Sequence, residues 1–364
     1  MRAVMPRNTK QQEDPLRAMI KRVAPGTPIY DGLENIIRAR TGALIVIGDS
    51  EKVLSLCNGG FRLDTEFDPS SLYELAKMDG AIVLSSDMKR IVYANTQLIP
   101  DPDIPSSETG TRHRTAQRMA KQTGELVVAI SQKRNVITLY KDNYKYVMHD
   151  IGVVLAKANQ ALQTLENYKS VLDRVLSNLS VLEFEDVVTL FEVVVAIQRM
   201  EMVRRVADEI ERYICELGTE GRLVKMQLEE LMVDVEDEGL YVISDYMVES
   251  KDRTPESISE EISEWSSEDL FDLAFIGRAL GHVGSMNTLD IPARPRGYRV
   301  LSKIPRLPYA VIENLVARFG DLQSILRASI EELDEVEGIG EVRAKAIKEG
   351  LRRLRQQLLL DRHI

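Results

Sequence analysis

Between Gly110 and Ala116 the chain reads Gly-Thr-Arg-His-Arg-Thr-Ala, preceded by Ser106-Ser107-Glu108-Thr109. Loop-forming residues pass here into helix-forming ones, so Thr111 opens a helix whose leading N–H groups have no partner within the helix. Two hydroxyls, two guanidiniums and an imidazole share one small volume. Arginine forks match phosphate oxygens, and the positive end of the helix dipole adds to them. Three basic residues in a first turn conflict with that dipole, which favours carboxylates. A bound polyphosphate removes the conflict; a helix start that is only solvated leaves it standing. The chain contains no Gly-x-x-x-x-Gly-Lys-[Ser/Thr] motif, so the phosphates are not held by a P-loop.

A second cluster, Asp79-Gly80-Ala81, leads into the apolar Ile82-Val83-Leu84. A carboxylate at the entry to a strand can face a cleft, ligate Mg2+ or Mn2+ and help polarise a hydroxyl, while Gly80 lets a ligand approach. The same Asp-Gly pair is also a common turn, in which the aspartate only caps.

The elements that must position these clusters follow from periodicity. β-type runs fall at Ala43–Gly48, Gly80–Ser85, Arg90–Leu98, Leu126–Ser131 and Val136–Tyr140, with helices over Ser71–Lys77 and Thr111–Gln122, the second closed by Gly124. The strands are too closely spaced for a purely parallel sheet, which predicts an α/β domain with a mixed sheet over residues 1–150. From Ile151 the period becomes helical: Leu155, Leu162, Leu165, Leu172, Leu176 and Leu179 form one apolar stripe. Further helices are expected from about Glu183 to Leu217 and Arg222 to Val248, making a helical spine over 151–290, with the Ser-, Glu- and Asp-rich 249–268 an exposed connection. Trp265 and the methionines suit helix packing. Pro292, Pro295 and Gly297 mark a linker into a last domain, 291–364.

That last segment repeats itself at an offset of 32. Ile304-Pro305-Arg306-Leu307-Pro308 aligns with Val336-Glu337-Gly338-Ile339-Gly340, and Leu301, Ile312 and Leu315 align with Leu333, Ala344 and Ile347. Each copy reads as helix, tight hairpin, helix. The tip Gly338-Ile339-Gly340 lets backbone N–H groups and a helix start meet a phosphate. Arg343, Lys345, Lys348, Arg352 and Arg353 could add contacts to DNA phosphates without reading bases. A plain corner between two helices is the simpler reading of a lone Gly-x-Gly; the repeat and the basic flank favour DNA. The first hairpin departs from the pattern, with Arg306 and Pro308 where the second has glycines.

Charge divides the chain at the same borders. The net charge of −10 splits into +3 for residues 1–150, −17 for 151–290 and +4 for 291–364, so a polyanion is expected at the ends of the chain. Two distant cysteines, Cys57 and Cys215, exclude a cysteine zinc cluster and a disulfide framework and fit a reducing compartment. No apolar run reaches the roughly 18 residues of a membrane helix, and the first 25 residues do not read as a secretory signal. A cytoplasmic, DNA-associated protein is expected.

Asp79-Gly80-Ala81, then Asn95-Thr96-Gln97-Leu98, then Gly110–Ala116 resembles the diadenylate cyclase family, and the helical spine and terminal helix-hairpin-helix module extend that resemblance to the whole chain. The resemblance implies an α/β cyclase domain with a central mixed sheet, an all-α spine and a C-terminal tandem helix-hairpin-helix domain. It further implies condensation of two ATP into cyclic di-AMP and two pyrophosphates, with Mg2+ or Mn2+. Carried over, Asp79 would ligate the metal and help activate the attacking 3′-hydroxyl, Gly80 would let the nucleotide lie on the backbone, and Leu98 would pack near adenine. Thr111, Arg112, His113, Arg114 and Thr115 would bind phosphates, with Ser131 a further candidate; for His113, a structural hydrogen bond and proton transfer stand level. Gly338, Ile339, Gly340, Arg343 and Lys345 would grip branched DNA. A homo-octamer with facing cyclase domains, restrained by DNA, is implied as well.

Two other readings compete. One is a DNA-binding protein that senses a nucleotide without turning it over. The other is a nuclease, which would need clustered carboxylates where the acidic middle is scattered along helices.

Overall fold

The computed structural model describes residues 14–250, 252–282 and 289–361, which fall into two compact units. The first comprises described residues up to 160 together with Glu209–Gln227. Its strands are β1 (Ala43–Ile47), β2 (Cys57–Asn58), β3 (Phe61–Glu66), β4 (Ala81–Leu84), β5 (Arg90–Leu98), β6 (Leu126–Ser131), β7 (Val136–Lys141) and β8 (Tyr144–Val147). They form one sheet in the order β2-β5-β4-β1-β6-β7-β8, with β3 also on β5. β1 and β4 run parallel, with Ile45 opposite Ile82. The other pairs among the described residues are antiparallel, so the sheet is mixed, as expected from the strand spacing.

Alternation along the strands builds two cores. Ala43, Ile45 and Ile47 face α1 (Pro15–Lys21), α2 (Pro28–Arg38) and α4 (Pro69–Leu75) through Ile20, Leu33, Ile36 and Leu72. On the opposite face Val46, Val83, Val127 and Ala129 meet Val53 of α3 (Glu51–Leu54) and Ala116, Met119 and Ala120 of α5 (Thr111–Thr123). Gly124, at φ +75°, ends α5 where the sequence places its cap. The expected strands are all present. Sequence reading did not mark β2, β3 and β8: β2 is two residues long, β8 four, and although Phe61-Arg62-Leu63-Asp64 alternates, all six residues of β3 are exposed and pairing to β5 sets their conformation.

The second unit is helical and comprises described residues 161–208 and from Leu228 onward. α6 (Ile151–Glu185) begins in the first unit and ends in the second, and α7 (Leu190–Leu217) begins in the second and ends in the first. The expected single helix over 222–248 is two, α8 (Arg222–Leu231) and α9 (Val235–Tyr246), because Asp234 adopts φ +61° between them. The expected exposed connection over 249–268 instead holds α10 (Pro255–Ser263) and the start of α11 (Ser267–Phe271). Its serines and acids are capping boxes, Thr254 with Ser257 and Ser266 with Asp269, and Ile258 and Ile262 are buried beneath them. α12 (Leu273–Ala279) follows, with Trp265 packed edge-on against Phe275 at 5.0 Å.

α13 (Tyr298–Ser302) and α14 (Tyr309–Phe319) enclose the first hairpin. α15 (Leu322–Arg327) leads to α16 (Ile330–Asp334) and α17 (Glu341–Asp361), which enclose the second. The offset of 32 holds at backbone level. Leu307 N–H donates to Ile304 O and Ile339 N–H to Val336 O, and Arg306 at φ +64° matches Gly338 at +81°.

The first copy is anchored by buried charge. Asp245 Oδ1 accepts the N–H groups of Gly297 and Tyr298, both at 2.7 Å, and Oδ2 accepts that of Arg299 at 3.0 Å, capping α13 from outside. The Arg299 side chain, fully buried, pairs with buried Glu183 of α6 and donates to Ser180 Oγ at 2.9 Å. Burial and the neighbouring Glu183 push the Asp245 carboxyl up to about 7, against those N–H groups and Arg299.

A left-handed arginine costs about 1–2 kcal/mol relative to glycine. Arg306→Gly is therefore expected to raise stability by ~1 kcal/mol, read from denaturant melts; an unchanged or lower midpoint would show that the turn carries no such strain.

Candidate functional site

Register brings the two sequence clusters to one end of the sheet. Asp79 and Gly80 precede β4, which runs parallel to β1, so they lie at the end where β1 begins. Antiparallel pairing of Ala81 with Thr96 and of Ala43 with Ile130 brings the last residues of β5 and β6, Leu98 and Ser131, to that same end. The first turn of α5 arrives there too, because Arg112 Nη1 lies 3.5 Å from Ile130 O. Strand polarity thus gathers residues up to 52 positions apart, from Asp79 to Ser131.

Asp79 is exposed, and among the described residues its carboxylate makes no hydrogen bond or ion pair, so it does not serve as a turn cap. A free carboxylate beside a phosphate-binding turn suits a divalent ion, which takes one or two protein carboxylates and completes its shell with substrate phosphates and water. No group of three or more His, Cys, Asp or Glu side chains is placed to hold a metal among the described residues.

Gly80 has a packing reason of its own. Its N–H donates to Asn95 Oδ1 at 3.0 Å, and a Cβ there would overlap the Asn95 backbone, 2.8 Å from its carbonyl oxygen. Asn95 sits at φ +53°, where the β4–β5 register shifts, so the glycine at 80 accommodates a bulge in the next strand. Leu98 is 8% exposed and belongs to the core beside Val53 and Leu54. Ser131 Oγ accepts the Arg134 N–H at 3.2 Å and closes the turn between β6 and β7.

Gly110 is the N-cap of α5 and offers no capping side chain, leaving the leading N–H groups to a ligand. Around this turn the basic side chains diverge. Arg112 lies over Gly42, and a Cβ at 42 would fall inside its guanidinium. Arg114 donates to Glu108 O and Thr109 O, both at 3.3 Å. Thr111 is exposed and Thr115 half-buried. His113 is half-buried with Nδ1 3.0 Å from the Tyr140 hydroxyl, so the structural hydrogen bond is present and Nε2 is left over. Burial holds its imidazole below the usual range, with Glu108 opposing and Arg112, Lys145 and Arg134 adding.

The loop before α5 is laced to that helix. Gln117 Oε1 accepts Ser106 Oγ–H at 2.6 Å and Ser107 N–H at 3.0 Å, Arg118 Nε donates to Ile104 O at 2.9 Å, and Lys121 Nζ donates to Pro105 O at 2.8 Å. Sequence reading missed Gly42, Tyr140 and Lys145, and gave Asn95 no role beyond its place in a motif. Each is ordinary in its own local context, and only pairing across the sheet reveals it.

In the second hairpin, Gly338 needs its glycine for φ +81°, whereas Gly340 has no such need: φ there is not left-handed and a Cβ would meet only Asp334 Oδ1, at 4.0 Å. Ile339 is buried. Arg343 folds back on the Gly338 carbonyl, Lys345 pairs with Glu341 at 2.5 Å and Arg353 with Glu349. Lys348 turns inward to Leu326 O at 2.9 Å, which removes it from the expected basic flank. His149 lies 3.2 Å from buried Glu216 and His282 contacts Tyr246 O at 2.9 Å; His363 lies outside the described residues.

The mixed sheet and the helical module match known families. Residues 30–145 match the family described as DisA bacterial checkpoint controller nucleotide-binding, residues 148–289 the DisA bacterial checkpoint controller linker region, and residues 321–350, which contain the second hairpin, the helix-hairpin-helix motif. The DNA integrity scanning protein DisA of Carboxydothermus hydrogenoformans is 62% identical over 338 residues, 93% of this chain and 96% of the relative. Those of Clostridium kluyveri and Symbiobacterium thermophilum are each 59% identical, covering 96% and 95% of this chain and 98% and 97% of theirs. The chain belongs to the DisA family. No helix among the described residues is long and apolar enough to cross a membrane.

Gly42→Ala places a methyl where the Arg112 guanidinium rests. It is expected to keep the fold and weaken binding of a nonhydrolysable ATP analogue about tenfold, ~1.4 kcal/mol. Calorimetric titration checks this; unchanged affinity would detach Arg112 from nucleotide binding.

Proposed function

We propose that this protein is a diadenylate cyclase that condenses two ATP into cyclic di-AMP with release of two pyrophosphates, and that its C-terminal module binds branched DNA through the backbone. The observation that carries the reading is the convergence of a free carboxylate, Asp79, and an uncapped, cationic helix start, Thr111 to Thr115, at one end of one sheet. Family membership supports it.

Each cyclase domain, residues 1–150 in this reading, holds one ATP. The first-turn N–H groups with Thr111, Arg112, Arg114 and Thr115 bind its phosphates, and stabilise charge that builds on them as the bond to pyrophosphate breaks. Ser131 borders the same end, and Leu98 offers an apolar edge to adenine. A divalent ion, Mg2+ or Mn2+, held by Asp79 would neutralise phosphate charge and acidify the 3′-hydroxyl when bound. Since the nucleophile and the leaving group belong to different nucleotides, two domains must face each other, and proximity supplies much of the acceleration. Exposed apolar side chains around this region, Phe61, Leu63, Met78 and Ile99, suit such pairing. A homo-octamer in the cytoplasm, with the spine at 151–290 and the DNA module at 291–364, completes the proposal.

For the DNA module, Gly340 carries most weight, because neither conformation nor packing requires a glycine there. A phosphate approaching the start of α17 would require it. Gly338, Arg343 and Lys345 form the rest of that surface, and Ile339 is buried beneath it.

Purified protein with ATP and either metal is expected to yield cyclic di-AMP by mass spectrometry, and Asp79→Asn to yield at least about a hundredfold less while still binding DNA. No product from the wild type would leave the sensor reading in its place. Gly340→Ala is expected to keep the melting temperature and weaken binding of a branched DNA about fivefold to tenfold at fixed salt. Equal binding would remove the second hairpin from the interface.

A further inference from the structure

The His113 ring takes part in a chain of polar contacts that runs from the proposed site into the protein. Nδ1 lies 3.0 Å from the hydroxyl of Tyr140, a residue of β7 that is 1% exposed. That hydroxyl also engages the carboxylate of Glu108, in the loop before α5, and Glu108 Oε1 lies 2.5 Å from Lys145 Nζ on β8. His113 of α5 and Glu108 of the loop therefore meet at one buried hydroxyl of β7, and Lys145 of β8 is joined to it through Glu108.

The direction of these hydrogen bonds follows from what each group can do. Although burial raises it, Lys145 and Tyr140 hold the Glu108 carboxyl below its usual range, so it is ionised and only accepts. Tyr140 O–H must then donate to Glu108, leaving its lone pairs for His113. Nδ1 must carry the hydrogen, and in the neutral ring Nε2 carries none. The ring edge that includes Nε2 faces the helix start: Cδ2, bonded to Nε2, is 4.0 Å from where a Cβ at Gly110 would stand.

We propose that Glu108, Tyr140 and Lys145 are positioning residues that fix His113 as its Nδ1–H tautomer, so that Nε2 is the base that takes the proton of the attacking 3′-hydroxyl. This rests on the cyclase reading above. The O3′–H proton passes to Nε2 as O3′ bonds to the α-phosphorus of the facing nucleotide. The bond from that phosphorus to its bridging oxygen breaks, and the electron pair departs with pyrophosphate. The imidazolium then returns its proton to water. An unprotonated Nε2 cannot donate to a phosphate, so His113 is set apart from Arg112 and Arg114 in role.

The charges around the ring suit a base. Arg112 faces it from its own helix, Lys145 from β8 and Arg134 from the β6–β7 turn, all opposing protonation, while Glu108 alone among the charged groups favours it.

The test uses the full chain with Glu108→Gln and Tyr140→Phe, both close in volume to the native residues. A glutamine amide can donate to Tyr140 and reverse the order of hydrogen bonds, placing the hydrogen on Nε2. Both variants are expected to lose about tenfold to a hundredfold in kcat with KM for ATP within about twofold, the pattern of a misplaced base. Glu108→Asp should recover part of the loss. Deuterium exchange at His113 Cε1, followed by mass spectrometry without nucleotide, reads the ring's titration midpoint. That midpoint should lie below the usual 6.5 in the wild type and lower still in both variants, since Glu108→Gln removes the carboxylate that favours the imidazolium and Tyr140→Phe removes the oxygen beside Nδ1.

A kcat within about twofold of wild type in both variants, or a midpoint unmoved in both, would overturn the assignment. If the wild type makes no cyclic dinucleotide, the base falls with the cyclase reading. A midpoint that still drops in the variants would then place the failure in the reaction and not in the chain of contacts.

Discussion

The arrangement of the sheet unit depends on one electrostatic tension: Arg112, His113 and Arg114 occupy the first turn of α5, at the positive end of its dipole. Left in water, such a turn would fray. Three devices hold it. Arg112 rests in the space left by Gly42, Arg114 is drawn to the carbonyls of Glu108 and Thr109, and His113 is tied to Tyr140. The loop that supplies those carbonyls is itself bound to α5 by Gln117, Arg118 and Lys121. The protein thus fixes the side chains without neutralising the turn, which keeps its attraction for an anion.

Glycines with different causes separate ligand from packing. Gly80 stands in the family motif, yet the Asn95 bulge alone accounts for it. Gly110 and Gly340 have no crowded neighbour and no left-handed φ, and both precede a long helix whose first N–H groups lack partners. Where neither strain nor packing explains a glycine, the remaining cause is something that must come close to the backbone.

The α/β plan, the helical middle and the repeated hairpin were legible in the sequence because each rests on a short-range pattern: the continuous apolar runs of β1 and β6, the leucine stripe of α6, the offset of 32. What escaped rests on single residues or on pairing across long separations. Asp234 breaks a helix by taking positive φ, which hydrophobic periodicity does not register, and Asp186 at φ +60° sets the break after α6 a few residues beyond the expected Glu183. α10 hid in a polar stretch whose serines and acids are caps and whose burial depends on two isoleucines. In the site, the motif residues were readable by type, but the neighbours that orient them were not. Tyr140 is 27 positions from His113, and Gly42 precedes Arg112 by 70.

The two hairpins diverge in a way that local sequence alone obscures. At the offset of 32, Arg299 and Lys303 of the first copy correspond to Glu331 and Glu335 of the second. In the first copy those cations point inward, Arg299 to Glu183 and Lys303 to Glu238 at 2.8 Å, while Asp245 caps the helix from outside. Burying a paired charge adds little net stability but rewards one alignment sharply, because any slip strands a charge in the interior. The first copy therefore fixes how the module sits on α6 and α9, and its hairpin carries Pro308 and bears the strain of Arg306 at a left-handed φ where the second copy has glycines. The second copy has no such buried ionic tie among the described residues, and its tip stays exposed at Gly338 and Gly340. One repeat has become the mount, which leaves the other free to keep the tip that a phosphate can approach.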